Sequence, residues 1–211
     1  MPVRPDDAAL VVGTGGLLSM ADVLPPTIYM TDMDTYLHEW MAKAVDAIGR
    51  SETPREYKSI TRACGLWFQR EHDLFADKYF LASQERFESA RSAVAGKAIT
   101  YVAMDYALQA DVASLAVLMN RERIHIRVFN ATNMHRHIEG GSKDLLGGYL
   151  ESLKRLPWSD DVRILSSAVE LIAPRSLPVQ SSLEGYVHIA QAEHPHKKEV
   201  LPRSRRSFFR R

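Results

Sequence analysis

The sequence predicts an α/β protein. The expected architecture is a mainly parallel, doubly wound sheet of about six to seven strands, with helices on both faces and a helical insert after the second strand. Three observations lead there. Short runs rich in β-branched and aromatic residues alternate with longer stretches of helical spacing, the order that implies a parallel sheet covered on both sides. The first apolar run ends in a glycine cluster at Gly13, Gly15 and Gly16. Apolar residues make up 45% of the 211 positions and charged residues 25%, a composition able to form a packed core.

Residues 8–12 form a short apolar run that stops at glycine and reads as the first strand. Residues 17–24 read as a helix stopped by Pro25 and Pro26. Residues 27–31, Thr-Ile-Tyr-Met-Thr, are β-formers bounded by Asp32. Residues 35–48 carry an apolar stripe at helical spacing through Leu37, Trp40, Met41, Ala44, Val45 and Ile48. Ser51 to Pro54 is loop with helix-start chemistry, and residues 56–75 and 83–95 are expected helices, the second ended by Gly96. Then come a strand over 98–104, a helix over 110–119, a strand over 124–129, a helix over 144–156 stopped by Pro157, and strands over 162–166 and 185–190. The domain spans 1–196, with the insert at about 50–96 and a basic tail at 197–211.

In such sheets ligands bind outside the carboxyl ends of the strands, which gives the polar motifs a common location. Gly13-Thr14-Gly15-Gly16 follows the first strand, where glycine permits a tight turn and close approach to a ligand. Asp32 ends the second strand, 19 positions after Gly13, near the spacing of about 20 found in nucleoside-binding units. An acid there can accept from both ribose hydroxyls. Asp34 competes for the role but stands farther from the strand end. Asp105 and Asn130 end the third and fourth strands; the first can accept from an exocyclic amine, the second can hold an amine or a carboxylate. Each is also an ordinary turn or cap residue, and for Asn133 capping is the leading reading. His135 reads as a general base beside a substrate or as a surface histidine; His135 and His137 have no third partner that would make a metal site, so no metal is expected.

The insert interleaves Trp67, Phe68, Phe75, Tyr79, Phe80 and Phe87 with Arg62, Arg70, His72, Lys78 and Arg86. It can fold over the strand ends as a lid, with Tyr79 and Arg86 on the substrate side, or pack its aromatic faces on the sheet.

The run Leu10-Val-Val-Gly-Thr-Gly-Gly16, the acid in Tyr29-Met-Thr-Asp-Met-Asp34, the strand end Met104-Asp105-Tyr106 and the strand Ile126-Arg-Val-Phe-Asn130 resemble class I S-adenosylmethionine-dependent methyltransferases. The resemblance covers roughly positions 8–190 by element order. It implies S-adenosyl-L-methionine as cofactor, with Gly13, Thr14 and Gly15 near its methionine part, Asp32 on the ribose with Met33 beside it, and Asp105 on the adenine amine with Tyr106 and Asn130 nearby. Rings such as Tyr79 and Tyr106 are suited to face a sulfonium. The chain departs from the common pattern in Leu17, where a further glycine is frequent, in its long insert, and in the strand end Asn-Ala-Thr-Asn133.

Several functions stay open on these residues. The leading one is methyl transfer to a small molecule, with Asn130, Asn133 and His135 as the candidate catalytic residues. Another is attack on the aminocarboxypropyl chain of the same cofactor, by transfer or cyclisation, releasing methylthioadenosine. A nicotinamide-dependent oxidoreductase is disfavoured by Leu18, which stands where a dinucleotide fingerprint has its third glycine. A noncatalytic nucleoside binder is the remaining class.

Charge narrows the partners. From Lys197 onward there are seven basic residues and one acid, which leaves 20 basic and 25 acidic residues in positions 1–196, a body charge of −5. That is unsuited to a broad nucleic-acid face, so a small-molecule substrate is expected and DNA is not. No stretch has the roughly 18 uninterrupted apolar residues of a membrane span. A single cysteine, Cys64, excludes an internal disulfide, and a cytoplasmic setting is the expectation. A homo-oligomer is compatible with the chain.

Overall fold

The computed structural model describes residues 4–12, 16–65, 79–131, 148–149, 151–165 and 180–181. Five strands run parallel in the order β3-β2-β1-β4-β5: β1 (Asp7–Val12), β2 (Thr27–Asp32), β3 (Ala98–Ala103), β4 (His125–Asn130) and β5 (Trp158–Leu165). A two-residue β6 (Gln180–Ser181) pairs antiparallel with β5 at the edge. Among the described residues five strands are parallel and one is antiparallel, against the expected mainly parallel sheet of six to seven strands. The last expected strand, 185–190, lies outside the described residues, whereas β6 falls in a stretch read as loop from its prolines.

The alternation of strand side chains explains the two covered faces. Ala9, Val11, Ile28, Met30 and Val128 face a core shared with α1 (Leu17–Met20), α2 (Thr35–Arg50), α3 (Pro54–Ala63) and α4 (Gln84–Ala95). Ala8, Leu10, Tyr29, Ile126, Phe129 and Ile164 face the opposite core, closed by α5 (Gln109–Arg121) and by a helix that includes residues 148–149 and 151–153. No helix among the described residues is long and apolar enough to cross a membrane.

Local chemistry sets most boundaries. Asp34, Thr53 and Ser83 are N-caps whose side chains accept from Tyr36, Glu56 and Arg86 N–H groups, and Pro54 takes the first turn of α3. Three expectations need correction. The first helix stops at Met20, with Val23 N–H turning back to the Met20 carbonyl and Val23 left exposed, well before Pro25. The helix expected over 56–75 ends at Ala63, because Gly65 takes a left-handed conformation (φ 72°) and donates to the Arg62 carbonyl. The buried stripe of α2 runs through His38, Met41, Ala44, Ala47 and Ile48, rotated from the expected one so that Leu37 and Trp40 are only half-buried. At the end of α5, Arg123 takes the left-handed position that glycine usually fills (φ 57°).

A charge network pins β1, β4 and β5 together. The Arg127 guanidinium meets Asp7 at 2.8 Å and Asp161 at 3.0 Å, with Arg127 and Asp7 both buried. Asp7 also accepts the Arg4 N–H at 2.7 Å. The strands make room by breaking register: pairing slips between Ala8 and Ala9 on one side of β4, and residues 159–162 of β5 oppose Arg127 alone on the other. Asp161 accepts from the Ser159 hydroxyl at 2.6 Å; that bond, with the Arg127 charge behind it, holds its carboxyl below the usual range against the opposing effect of burial.

Removing Arg127 would leave Asp7 buried without its counter-charge. Arg127→Met is expected to cost about 3–5 kcal/mol, read as a lower urea midpoint. Any contribution from Asp161 is present above its unfolded pKa and fades as pH falls through its lower folded pKa, so Asp161→Asn should matter at neutral pH and converge with the parent chain in acid. The Tyr29 hydroxyl donates to Glu122 at 2.9 Å, and burial first, then that bond and the Glu122 charge, push its pKa up to about 12. A free tyrosine ionises near pH 10. The unfolded chain therefore loses this proton first, and stability is expected to fall between pH 10 and about 12, with a shallower fall in Tyr29→Phe when urea midpoints are compared.

Candidate functional site

The strand register decides which of the expected residues meet. Val11 pairs with Asn130, Met30 with Tyr101, and Asp32 with Ala103, so the ends of β1, β2, β3 and β4 form one carboxyl edge. The chain winds from β1 outward to β2 and β3 on one side and to β4 and β5 on the other. The reversal falls between β1 and β4, where open α/β sheets form a crevice. Gly13, Thr14 and Gly15, expected at the mouth of that crevice, lie outside the described residues, as do Asn133 and His135. Gly16 is the left-handed N-cap of α1 (φ 72°), a conformation that suits glycine at that point.

Asp32 and Asp34 have different roles. Asp34 caps α2, its Oδ1 accepting the Tyr36 N–H at 2.9 Å. Asp32 closes β2 and accepts the Asp34 N–H on Oδ1 at 2.8 Å, while its Oδ2 has no hydrogen bond among the described residues. Asp105 repeats the arrangement one strand over. Its Oδ1 accepts the Ala107 N–H at 2.8 Å, its own N–H donates to Asp111 at 2.9 Å, and its Oδ2 is unengaged among the described residues. Two half-buried carboxylates thus stand at the ends of neighbouring strands, each held by a turn through one oxygen and left with the other. That pair of acceptors fits a ligand with hydroxyl and amine hydrogens.

Exposed apolar side chains follow each of them within four positions along the chain. Met33 is 71% exposed just after Asp32, Tyr36 is 63% exposed in the first turn of α2, and Leu108 is 54% exposed at the start of α5. Burying such groups against a planar ring would be favourable. Tyr36 and Leu108 were not anticipated from the sequence. The signal for Leu108 was its position: it is the N-cap of α5, where Ser, Thr, Asp or Asn is usual, and no side-chain cap bond forms.

Tyr106 and Asn130 are inside the molecule. The Tyr106 ring is buried between Phe129 and Tyr149, and its hydroxyl shares a 2.8 Å hydrogen bond with Thr31. Asn130 is fully buried, its Nδ2 3.7 Å from the Met20 sulfur, which ties the end of β4 to α1. Tyr79 is buried against Phe80 at 5.0 Å between ring centres, and the Phe80 N–H reaches the Ser19 hydroxyl at 3.4 Å. Tyr57, Phe80 and Phe87 join the same core, so the described aromatic residues of the insert pack on the sheet face that α1 and α2 cover. Arg86 is half-buried and lines a small cleft with Leu18, Ser19 and Asp22. Trp67, Phe68 and Phe75 lie outside the described residues. His38 is a residue that the sequence reading passed over. It is buried in the first turn of α2 against Tyr101, its Nε2 without a hydrogen bond among the described residues.

Among the described residues no three His, Cys, Asp or Glu side chains gather as a metal site. No protein-family model matches the chain, and no curated protein matches it.

Because Asp34 is a cap, Asp34→Ala is expected to lower stability by about 1 kcal/mol. The measurement is thermal melting of this variant beside Asp32→Asn, which keeps an acceptor for the turn and should melt close to the parent chain.

Proposed function

We propose that this chain binds S-adenosylmethionine at the carboxyl edge of its sheet and transfers the methyl group to a small molecule. The observation that carries the reading is the pair of carboxylates, Asp32 and Asp105, at the ends of adjacent strands with one oxygen each left over from its turn. In this reading Asp32 takes the ribose hydroxyls and Asp105 the adenine amine. Met33 and Leu108 supply apolar surface to the base. The strand order 3-2-1-4-5 with helices on both faces supports a Rossmann-like arrangement, with its crevice beside β1 and β4.

Bound there, S-adenosylmethionine would supply an electrophilic carbon beside a sulfonium, a reaction in which positioning and exclusion of water count for more than an acid–base pair. Asn130 acts as a positioning residue, since its amide is buried beneath α1 and holds that helix to the end of β4. Thr31 and Tyr106 brace the floor between β2 and the opposite core. The acidic body supports a small acceptor over DNA.

Calorimetric titration with S-adenosylmethionine, joined to mass spectrometry of the mixture, tests this. Binding is expected, with Asp32→Asn weaker by about tenfold to a hundredfold, as for loss of a charged hydrogen-bond acceptor. S-adenosylhomocysteine should form only when a small-molecule acceptor is supplied. Catalytic release of methylthioadenosine without an acceptor would replace methyl transfer with attack on the aminocarboxypropyl chain. Failure to bind would overturn the cofactor assignment.

A further inference from the structure

The exposed side of α3 carries an arrangement that the carboxyl edge does not use. Arg55, Lys58, Ser59 and Arg62 recur at helical spacing (i, i+3, i+4, i+7), which puts three cations and a hydroxyl on one face. With Pro54 they border an open surface depression of about 530 Å³. All four side chains are exposed, and none of the three cations has an ion pair or hydrogen bond among the described residues. Several other cations of the fold are engaged, Arg50 with Asp46, Arg91 with the Ser51 carbonyl, Arg127 with two aspartates and Lys154 with Glu151, whereas Lys43, Arg86, Arg123 and Arg163 stand singly without such a bond among the described residues. The acid in the first turn of α3, Glu56, is turned back to accept the Glu52 N–H at 2.8 Å.

This arrangement works against the helix that carries it. Like charges at i, i+3 and i+4 repel, and Arg55 sits in the first turn, where the helix dipole disfavours a cation, although Arg62 in the last turn is favoured by it. The body around it is acidic overall, at −5 over positions 1–196, yet places no acid against these three groups among the described residues. Helical rise sets Arg55 and Arg62 roughly 10 Å apart along the axis, with Lys58 between them. A single small anion would engage only part of that row.

We propose that the α3 face binds a small ligand bearing two or more linked phosphoryl groups. Arg55, Lys58 and Arg62 supply charge-assisted hydrogen bonds to its oxygens, and Ser59 adds a donor. The site shares no residue with the candidate cofactor edge and does not depend on that reading.

Tripolyphosphate is the probe, titrated into the full chain at low and at moderate salt, with inorganic phosphate and a short single-stranded RNA alongside. Tripolyphosphate is expected to bind at least about tenfold more tightly than inorganic phosphate and to weaken as salt rises. A triple variant, Arg55→Gln, Lys58→Gln and Arg62→Gln, keeps helix propensity and should lose about a hundredfold in affinity. It should also melt at the same or a higher temperature without ligand, since it relieves repulsion. Undiminished binding in the triple variant would assign the anion to the basic tail at 197–211 and overturn the proposal. So would tighter binding of RNA that the triple variant abolishes, absence of tripolyphosphate binding, or a triple variant that melts well below the parent chain.

Discussion

β1 is enclosed on every side, and the carboxyl edge depends on that. Its neighbours β2 and β4 satisfy its backbone on both edges, and its side chains feed both cores, Ala9 and Val11 one way, Ala8 and Leu10 the other. A strand buried on both faces can carry almost nothing polar along its length. Asp7, at its start, is tolerated because Arg127 and the Arg4 N–H satisfy it. Polar chemistry is therefore pushed to the strand ends. That is where Asp32, Asp105 and Asn130 stand.

The Arg127 network shows what the sheet gives up for this order. A buried arginine between two aspartates interrupts pairing on both sides of β4. Replacing such a group with apolar residues of similar volume is often neutral or stabilising, so its presence is better explained by register than by stability. With Arg127 seated, Val128, Phe129 and Asn130 fall opposite Ala9, Leu10 and Val11. A one-residue slip would exchange the faces of Val128 and Phe129 and turn Asn130 away from Met20.

The insert shows how aromatic side chains settle between lid and core. Tyr57, Tyr79, Phe80 and Phe87 form edge-on and tilted contacts at 5.0–6.0 Å and close the helical face over α1 and α2. The charged residues between them go outward, which is how α3 comes to present a basic face. The same amphipathic logic that buries Tyr57 and Thr61 leaves Arg55, Lys58 and Arg62 together on the other side.

Much of the fold is determined by the sequence alone. Runs of β-branched residues, capping residues such as Asp34, Thr53 and Ser83, and glycine or proline breaks place every strand of the parallel sheet and most helices, because those signals act over a few residues. They also put Asp32 and Asp105 at strand ends. Tertiary structure alone decided the rest. Gly65, passed over as an interior residue, ends α3 because its left-handed conformation satisfies a helix carbonyl. Asp34 is separated from Asp32 by which N–H each accepts, and Asn130 is turned inward onto Met20. The exposure of Met33, Tyr36 and Leu108 follows from which parts of the edge the helices leave uncovered. Short-range patterns fix where a residue stands along the chain; which groups it faces depends on long-range pairing and packing, which no local pattern encodes.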